Sequence, residues 1–267
     1  MTNQGLTPEK AARYLRQRGE VAGGEIFLSG LSAREALELA REARRVGEAS
    51  GGRSVDSKDA QATSPKEISE GEVTGVPADY DDLRAQALVC RLCGLADTRK
   101  HVVFSDGNPR ARLMVVGEAP GAREDETGRA FVGPAGKLLD LLLATVGLSR
   151  ERSVYICNVL KCRPPGNRDP LPEEIKTCTP YLRRQIQLIA PEAILAVGSF
   201  AARFLTGREE SLGRLRGEVY SYQGVPVVVT YHPAALLRNS GWTRATWDDL
   251  QFLLQIMPET DRAVTPD

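Results

Sequence analysis

The 267-residue chain balances 35 Lys and Arg against 35 Asp and Glu, and 42% of it is hydrophobic, the composition of an ordinary globular domain plus an extension. Its richest apolar run, residues 138–146, is broken by Asp140, so no membrane span is expected; Thr2, Asn3 and Gln4 open the chain without a signal core, so export is not expected and a cytoplasmic location is. Five cysteines are too few for a secreted disulfide scaffold, and in a reducing compartment they read as metal or cluster ligands or as inert core thiols.

Residues 1–46 carry two helical patterns. Thr7-Pro8-Glu9 opens the first with a cap-then-proline signature and a stripe of Ala11, Tyr14 and Leu15. Ser32 opens the second, with Ala36, Leu37, Leu39 and Ala40 inward and Arg41, Arg44 and Arg45 near its end. Residues 47–79 hold only Val55, Ile68, Val73 and Val76 as large apolar side chains and read as a flexible linker. Residues 80–257 read as the main domain and 258–267 as a tail. Charge divides the same way: residues 1–82 hold 11 basic against 15 acidic groups, and residues 83–257 hold 23 against 17. A net charge of zero argues mildly against a nucleic-acid binder; the modest basic excess lies where the motifs lie, which suits such a binder and equally suits a solvated mixed-charge surface.

Within the main domain, residues 113–116, 154–157, 194–197 and 227–230 are short, uninterrupted apolar runs, the pattern of strands buried on both faces. Helical stretches alternate with them at 136–146, 173–189 and 200–205, with Pro180 expected to interrupt the second. The fold expected is a three-layer α/β/α sandwich on a central parallel sheet of about four strands. Unusual residues follow each strand: Gly117 to Gly121, Asn158, Gly198-Ser199, and His232-Pro233. Ligands bind at the carboxyl ends of such strands, so these loops are expected to share one rim.

Cys90 and Cys93 form a C-x2-C pair, and Cys162 and Cys178 follow singly; four sulfurs suit a tetrahedral thiolate site, with spacing alone leaving zinc and iron–sulfur both open. Cys178 also fits a core stripe with Ile175, Leu182, Ile186 and Ile189, and Cys157 reads as a buried core thiol. The glycines between 117 and 136 match neither the dinucleotide nor the P-loop template. Taken alone, the acidic cluster Glu124-Asp125-Glu126 reads as a solvated turn, Phe131 as a core aromatic, and His101 as a structural or surface residue.

Read together, GEAPG at 117–121, GRAFVGPAGKLLD at 128–140, NVLKCRPPGNRDP at 158–170 and HPAALLR at 232–238 resemble the family 4 uracil-DNA glycosylases over roughly residues 83–255. The resemblance implies a structural [4Fe–4S] cluster on Cys90, Cys93, Cys162 and Cys178, leaving Cys157 unassigned. It also implies a uracil pocket lined by Gly117 and Ala119, with Phe131 stacked on a flipped base and Asn158 reading its edge. An amide accepts from N3–H while donating to O4, and cytosine presents the opposite pattern. His232 would lie near uracil O2, where negative charge develops on the leaving base.

Glu124 is the first candidate carboxylate, to position water, exclude a C5 methyl group, or both; Glu118 is the second, with loop organisation as its other role. Gly121 stands where a related family carries tyrosine, so thymine exclusion needs another wall. Residues 234–238 resemble a segment that enters the DNA minor groove, with Leu236 or Leu237 as wedge and Arg238 and Ser199 holding phosphates. The activity implied is monofunctional hydrolysis of the deoxyuridine N-glycosidic bond in single- and double-stranded DNA by a monomer. The rivals are a uracil- or abasic-site-binding protein without turnover and a zinc-stabilised scaffold whose N-terminal extension recruits a protein partner. The uninterrupted, histidine-free stretch from Lys161 to Asp169 disfavours the former.

Overall fold

A computed structural model describes residues 75–257. The expectations for residues 1–46, for the linker up to residue 74 and for the tail at 258–267 lie outside the described residues.

The strands are β1 (Asp106–Gly107), β2 (Leu113–Gly117), β3 (Val154–Asn158), β4 (Ala193–Val197), β5 (Val219–Tyr222) and β6 (Val225–Thr230). They form one sheet in the order β1-β3-β2-β4-β6-β5. The four central strands are parallel and match the four apolar runs within one or two residues. The sheet is nonetheless mixed and six-stranded, because β1 pairs antiparallel with β3 and β5 antiparallel with β6. Both edge strands lack the long apolar run that marks a central strand. β1 has only two residues, and β5 joins β6 through Gln223 and Gly224, both at positive φ, a hairpin turn that suits strand twist.

The helices are α1 (Tyr80–Leu88), α2 (Ala122–Thr127), α3 (Pro134–Ala144), α4 (Pro172–Ile189), α5 (Ser199–Thr206), α6 (Leu212–Leu215), α7 (Pro233–Leu236) and α8 (Thr243–Ile256). Alternate residues along each central strand enter separate cores. Met114, Val116, Tyr155, Ile194 and Val229 pack with Leu182 and Ile186 of α4 and Ala202 and Leu205 of α5. Leu113, Val115, Ile156 and Leu195 pack with Leu139 and Leu143 of α3 and Leu250 and Leu253 of α8. Two cores on the two faces of one sheet make the three layers. Cys157 is fully buried in the first core.

Pro180 does not interrupt α4, which runs unbroken from Pro172 to Ile189. Proline removes one N–H from the ladder, while the Thr179 hydroxyl donates back to Ile175 O. The helix therefore keeps one stripe with two duties. Leu182, Ile186 and Ile189 enter the sheet core, whereas Ile175 and Cys178 face the cysteine region. Among the described residues no helix is long and apolar enough to cross a membrane.

Candidate active site and cysteine centre

Parallel pairing sets Gly117, the last residue of β2, opposite Asn158, the last of β3. A Cβ at Gly117 would overlap Asn158 Oδ1 and lie 2.7 Å from Phe131 Cζ. The absent side chain is what lets an amide and an aromatic ring converge on this strand tip. Asn158 is only 2% exposed, and its Oδ1 is buried without a hydrogen-bond partner. An unpaired buried acceptor costs about 1–3 kcal/mol. Its backbone carbonyl, by contrast, accepts from the buried Lys161 Nζ at 2.6 Å.

Phe131 is buried at a φ of 52°, unusual for an aromatic residue. Its ring centroid lies 5.6 Å from that of His232, with the planes tilted by 32°. Two grips hold this turn. Arg150 donates to Ala130 O at 3.1 Å and Phe131 O at 2.8 Å, and Glu124 Oε1 accepts from Val132 N at 2.9 Å and Gly133 N at 2.8 Å. Gly136, in the first turn of α3, packs so closely that a Cβ would overlap Phe131 O. Gly136→Ala is therefore expected to cost at least about 3 kcal/mol of stability, because the overlapping atom is backbone and cannot rotate away. Urea unfolding checks this, and an unchanged midpoint would contradict the packing.

His232 follows β6 and caps α7, its Nδ1 accepting from Ala234 N at 3.1 Å. In the neutral ring the proton then sits on Nε2, which remains a donor. Desolvation lowers its pKa from 6.5 to about 4, helped by Arg238 and opposed by Glu124. Gly198, with a φ of 92°, lets the tip of β4 approach, since a Cβ there would stand 3.0 Å from His232 Cβ.

The acidic cluster 124–126 is not a uniform solvated turn. Glu124 turns toward the 132–133 backbone, and its Oε2 fills the space beside Gly121, 2.8 Å from where a Cβ would stand. Asp125 is 3% exposed and accepts from Lys100 N and His101 N, while the His101 ring meets Asp125 O. Only Glu126 faces solvent. Glu118, in the loop between β2 and α2, has its carboxyl pKa raised, by burial first and by Asp169 second. Ala119 is half-buried and packs toward the cysteine region.

On the rim, Leu236 is buried in the core at 3% exposure, which removes it as a wedge: in the short α7 its side chain turns inward. Leu237 is 55% exposed, and Arg238 and Ser199 are also exposed. Reading along the chain missed Arg150, Asp106 and Lys161. Each lies in a polar or mixed stretch; Arg150 and Asp106 are paired across the fold, and Lys161 is buried over the Asn158 carbonyl three residues back.

The four cysteines come from the turn after α1, the loop after β3, and α4. Cys93, Cys162 and Cys178 share one apolar cluster with Leu95 and Leu160, and Cys90 and Cys178 share another around Tyr181. All are free thiols. Arg99 Nη1 donates to Cys162 Sγ and Lys161 N to Cys178 Sγ, each at 3.2 Å. Burial pushes the Cys178 thiol up to about 12, against a lowering effect of Lys161 and with smaller additions from Cys162 and Cys93. Among the described residues no three His, Cys, Asp or Glu converge as a single-ion site.

The family model for the uracil DNA glycosylase superfamily matches residues 104–251. The chain is similar to a type-4 uracil-DNA glycosylase of Archaeoglobus fulgidus, at 47% identity over 165 residues that cover 59% of this chain and 82% of that protein. It is 38% identical over 195 residues to a type-4 uracil-DNA glycosylase of Sulfurisphaera tokodaii, covering 70% of this chain and 86% of that one. A type-5 uracil-DNA glycosylase of Pyrobaculum aerophilum matches at 37% over 166 residues, covering 56% of this chain and 72% of that one.

Proposed function

The chain belongs to the uracil DNA glycosylase superfamily, and from that premise we propose that it hydrolyses the N-glycosidic bond of deoxyuridine in DNA, releasing uracil and leaving an abasic site. The observation that carries the reading to particular residues is the slot around Gly117, where a partnerless amide oxygen, an aromatic ring and a neutral imidazole lie together.

The base must leave the helix stack before its glycosidic bond can be reached. Phe131 then offers its ring as a plate for the flipped uracil. Asn158 Oδ1 accepts from N3–H and its amide donates to O4, whereas cytosine would set acceptor against acceptor. His232 holds a proton on Nε2 for O2, where charge grows as the bond lengthens, so the contact strengthens in the transition state. Glu124 is the better carboxylate for the cationic sugar and the attacking water, because its charge is felt by His232, whereas burial first and Asp169 second disfavour the charged form of Glu118. With Oε1 fixed by two backbone amides, its Oε2 also supplies the wall that Gly121 lacks against a C5 methyl group. Leu237 serves as the wedge, and Arg238 and Ser199 meet phosphates. The enzyme acts as a cytoplasmic monomer on single- and double-stranded DNA and makes no strand break of its own.

The donor set suits a [4Fe–4S] cluster held by Cys90, Cys93, Cys162 and Cys178. Cys93, Cys162 and Cys178 share one apolar cluster, Cys90 and Cys178 share the next, and two N–H donors already point at sulfur, an arrangement that would stabilise cluster thiolates. Held by these four residues, such a cluster would tie the turn after α1 and the loop after β3 to α4, and Cys162, four residues after Asn158, would carry that support to the strand tip. Protein prepared anaerobically is expected to be brown and to carry about four irons. A colourless protein holding zinc would overturn the cluster and leave the glycosylase reading standing.

The function itself is tested by incubating the protein with a uracil-containing oligonucleotide and then treating with alkali. Breaks are expected at uracil and not at thymine or cytosine. No break above a protein-free control, with cluster-replete protein, would reject it.

A further inference from the structure

We propose that Arg150 is a positioning residue for Phe131, and that it sets affinity for the flipped base rather than for DNA as such. The proposal rests on the glycosylase reading above and adds to it the device that keeps the plate in place.

Left-handed backbone is costly for an aromatic residue, so Phe131 stays there only if its surroundings impose it. The Arg150 guanidinium does so from the carbonyl side, through Ala130 O and Phe131 O. Its remaining donors are held by Asp106 Oδ2 at 2.8 Å and by Asp140 Oδ1 at 2.9 Å from Nε and 2.8 Å from Nη2. One planar fork thus joins β1, α3 and the aromatic turn, and the residue is only 8% exposed. A buried cation has to be paired on this scale, but structural pairing alone does not explain why two donors go to the strained turn rather than to water.

The two-residue β1 is explained by the same device. Gly107, at a φ of 92°, lies so close to β3 that a Cβ would overlap Val154 O, and this close approach brings Asp106 to Arg150. The opposite side of the turn is gripped by Glu124, which takes the N–H groups of Val132 and Gly133. Residues 130–133 are therefore held by a cation on their carbonyls and an anion on their amides. Lysine cannot reproduce the grip, because a single ammonium lacks the fork that reaches two carbonyls and two carboxylates together.

If Arg150 acts through the plate, its loss is felt only when a base is present to stack. The experiment compares wild type, Arg150→Lys, Phe131→Ala and the double variant. Each is titrated with DNA bearing a 2′-fluorinated deoxyuridine that resists cleavage, and with DNA bearing a tetrahydrofuran abasic analogue. Arg150→Lys is expected to lose about tenfold or more in affinity for the fluorinated uridine and less than about twofold for the abasic analogue, in line with a lost base–aromatic stack. In the Phe131→Ala background it is expected to add no further loss.

Equal losses on both DNAs, or losses that add to those of Phe131→Ala, would overturn the proposal. Should Arg150→Lys fail to fold, Asp140→Asn removes the more exposed carboxylate partner and is expected to give the same selective loss in smaller measure; loss on both DNAs there overturns it equally. Wild-type excision of uracil is scored first. Its absence rejects the glycosylase reading, whereas excision by wild type with unselective variant losses rejects only the clamp.

Discussion

Asn158→Asp is expected to slow uracil excision by about 10³-fold at pH 8, in a protein that keeps its native circular dichroism spectrum. The substitution changes almost nothing in shape, so the effect isolates donor and acceptor chemistry. At pH 8 a carboxylate still accepts from N3–H, but it turns a second lone pair toward uracil O4 where the amide had a donor. Burial at a 2% exposed position disfavours the charged form, so the new acid will hold its proton to a higher pH than an aqueous aspartate. A protonated acid regains one donor and one acceptor. Excision by the variant is therefore expected to recover as pH falls from 8 toward 5.5, and discrimination against cytosine to weaken, because a carboxylic acid can present its two groups to either base edge. Single-turnover rates on uracil- and cytosine-containing oligonucleotides at several pH values measure both. A variant within about tenfold of wild type at pH 8 would remove Asn158 from its role as reader.

The parts of this site that can be read along the chain are those carried by the central strands. Residues 113–116 and 154–157 spell out strands buried on both faces, and once these are parallel neighbours, Gly117 and Asn158 must share a rim. His232 is legible for the same reason, one residue beyond the end of β6 and its flanking Tyr231. What is illegible is whatever depends on depth or on pairing between distant elements. Arg150 sits in Ser149-Arg150-Glu151-Arg152, which looks like a solvated turn, and only Asp106, 44 residues earlier, and the Phe131 carbonyls reveal it as buried. The choice between Leu236 and Leu237 depends on the phase of a four-residue helix, too short for any periodicity to set. Pro180 reads as a breaker because the proline rule counts the lost backbone bond and omits the packing of an 18-residue helix against the sheet, which outweighs it. The four cysteines were legible as a set, but their hydrogen bonds from Arg99 and Lys161 N were not.

His232→Asn separates the two duties of this side chain. Asparagine is among the best N-capping residues, so α7 keeps its cap and the fold its stability at pH 7.5. Its amide is too short to reach where the imidazole Nε2–H stood, so the donor facing uracil O2 is lost. The rate of the chemical step is expected to fall by about 10²- to 10³-fold, as for removal of one preorganised donor to a developing oxyanion, with substrate affinity little changed. The same variant has a signature in stability that activity does not report. The histidine is held neutral in the folded protein, with a pKa near 4 against 6.5 for the ordinary group. Between those values the unfolded chain binds a proton that the folded protein refuses. The stability tied to the neutral ring is thus complete above pH 6.5 and is lost as pH falls toward 4. Wild type should lose stability relative to His232→Asn across that window, and the two should run parallel above it. Urea midpoints at pH 7.5, 5.5 and 4.5 decide the matter. Equal slopes would mean that the ring is solvated and charges freely on acidification, and a neutral donor waiting for uracil O2 would then have no basis.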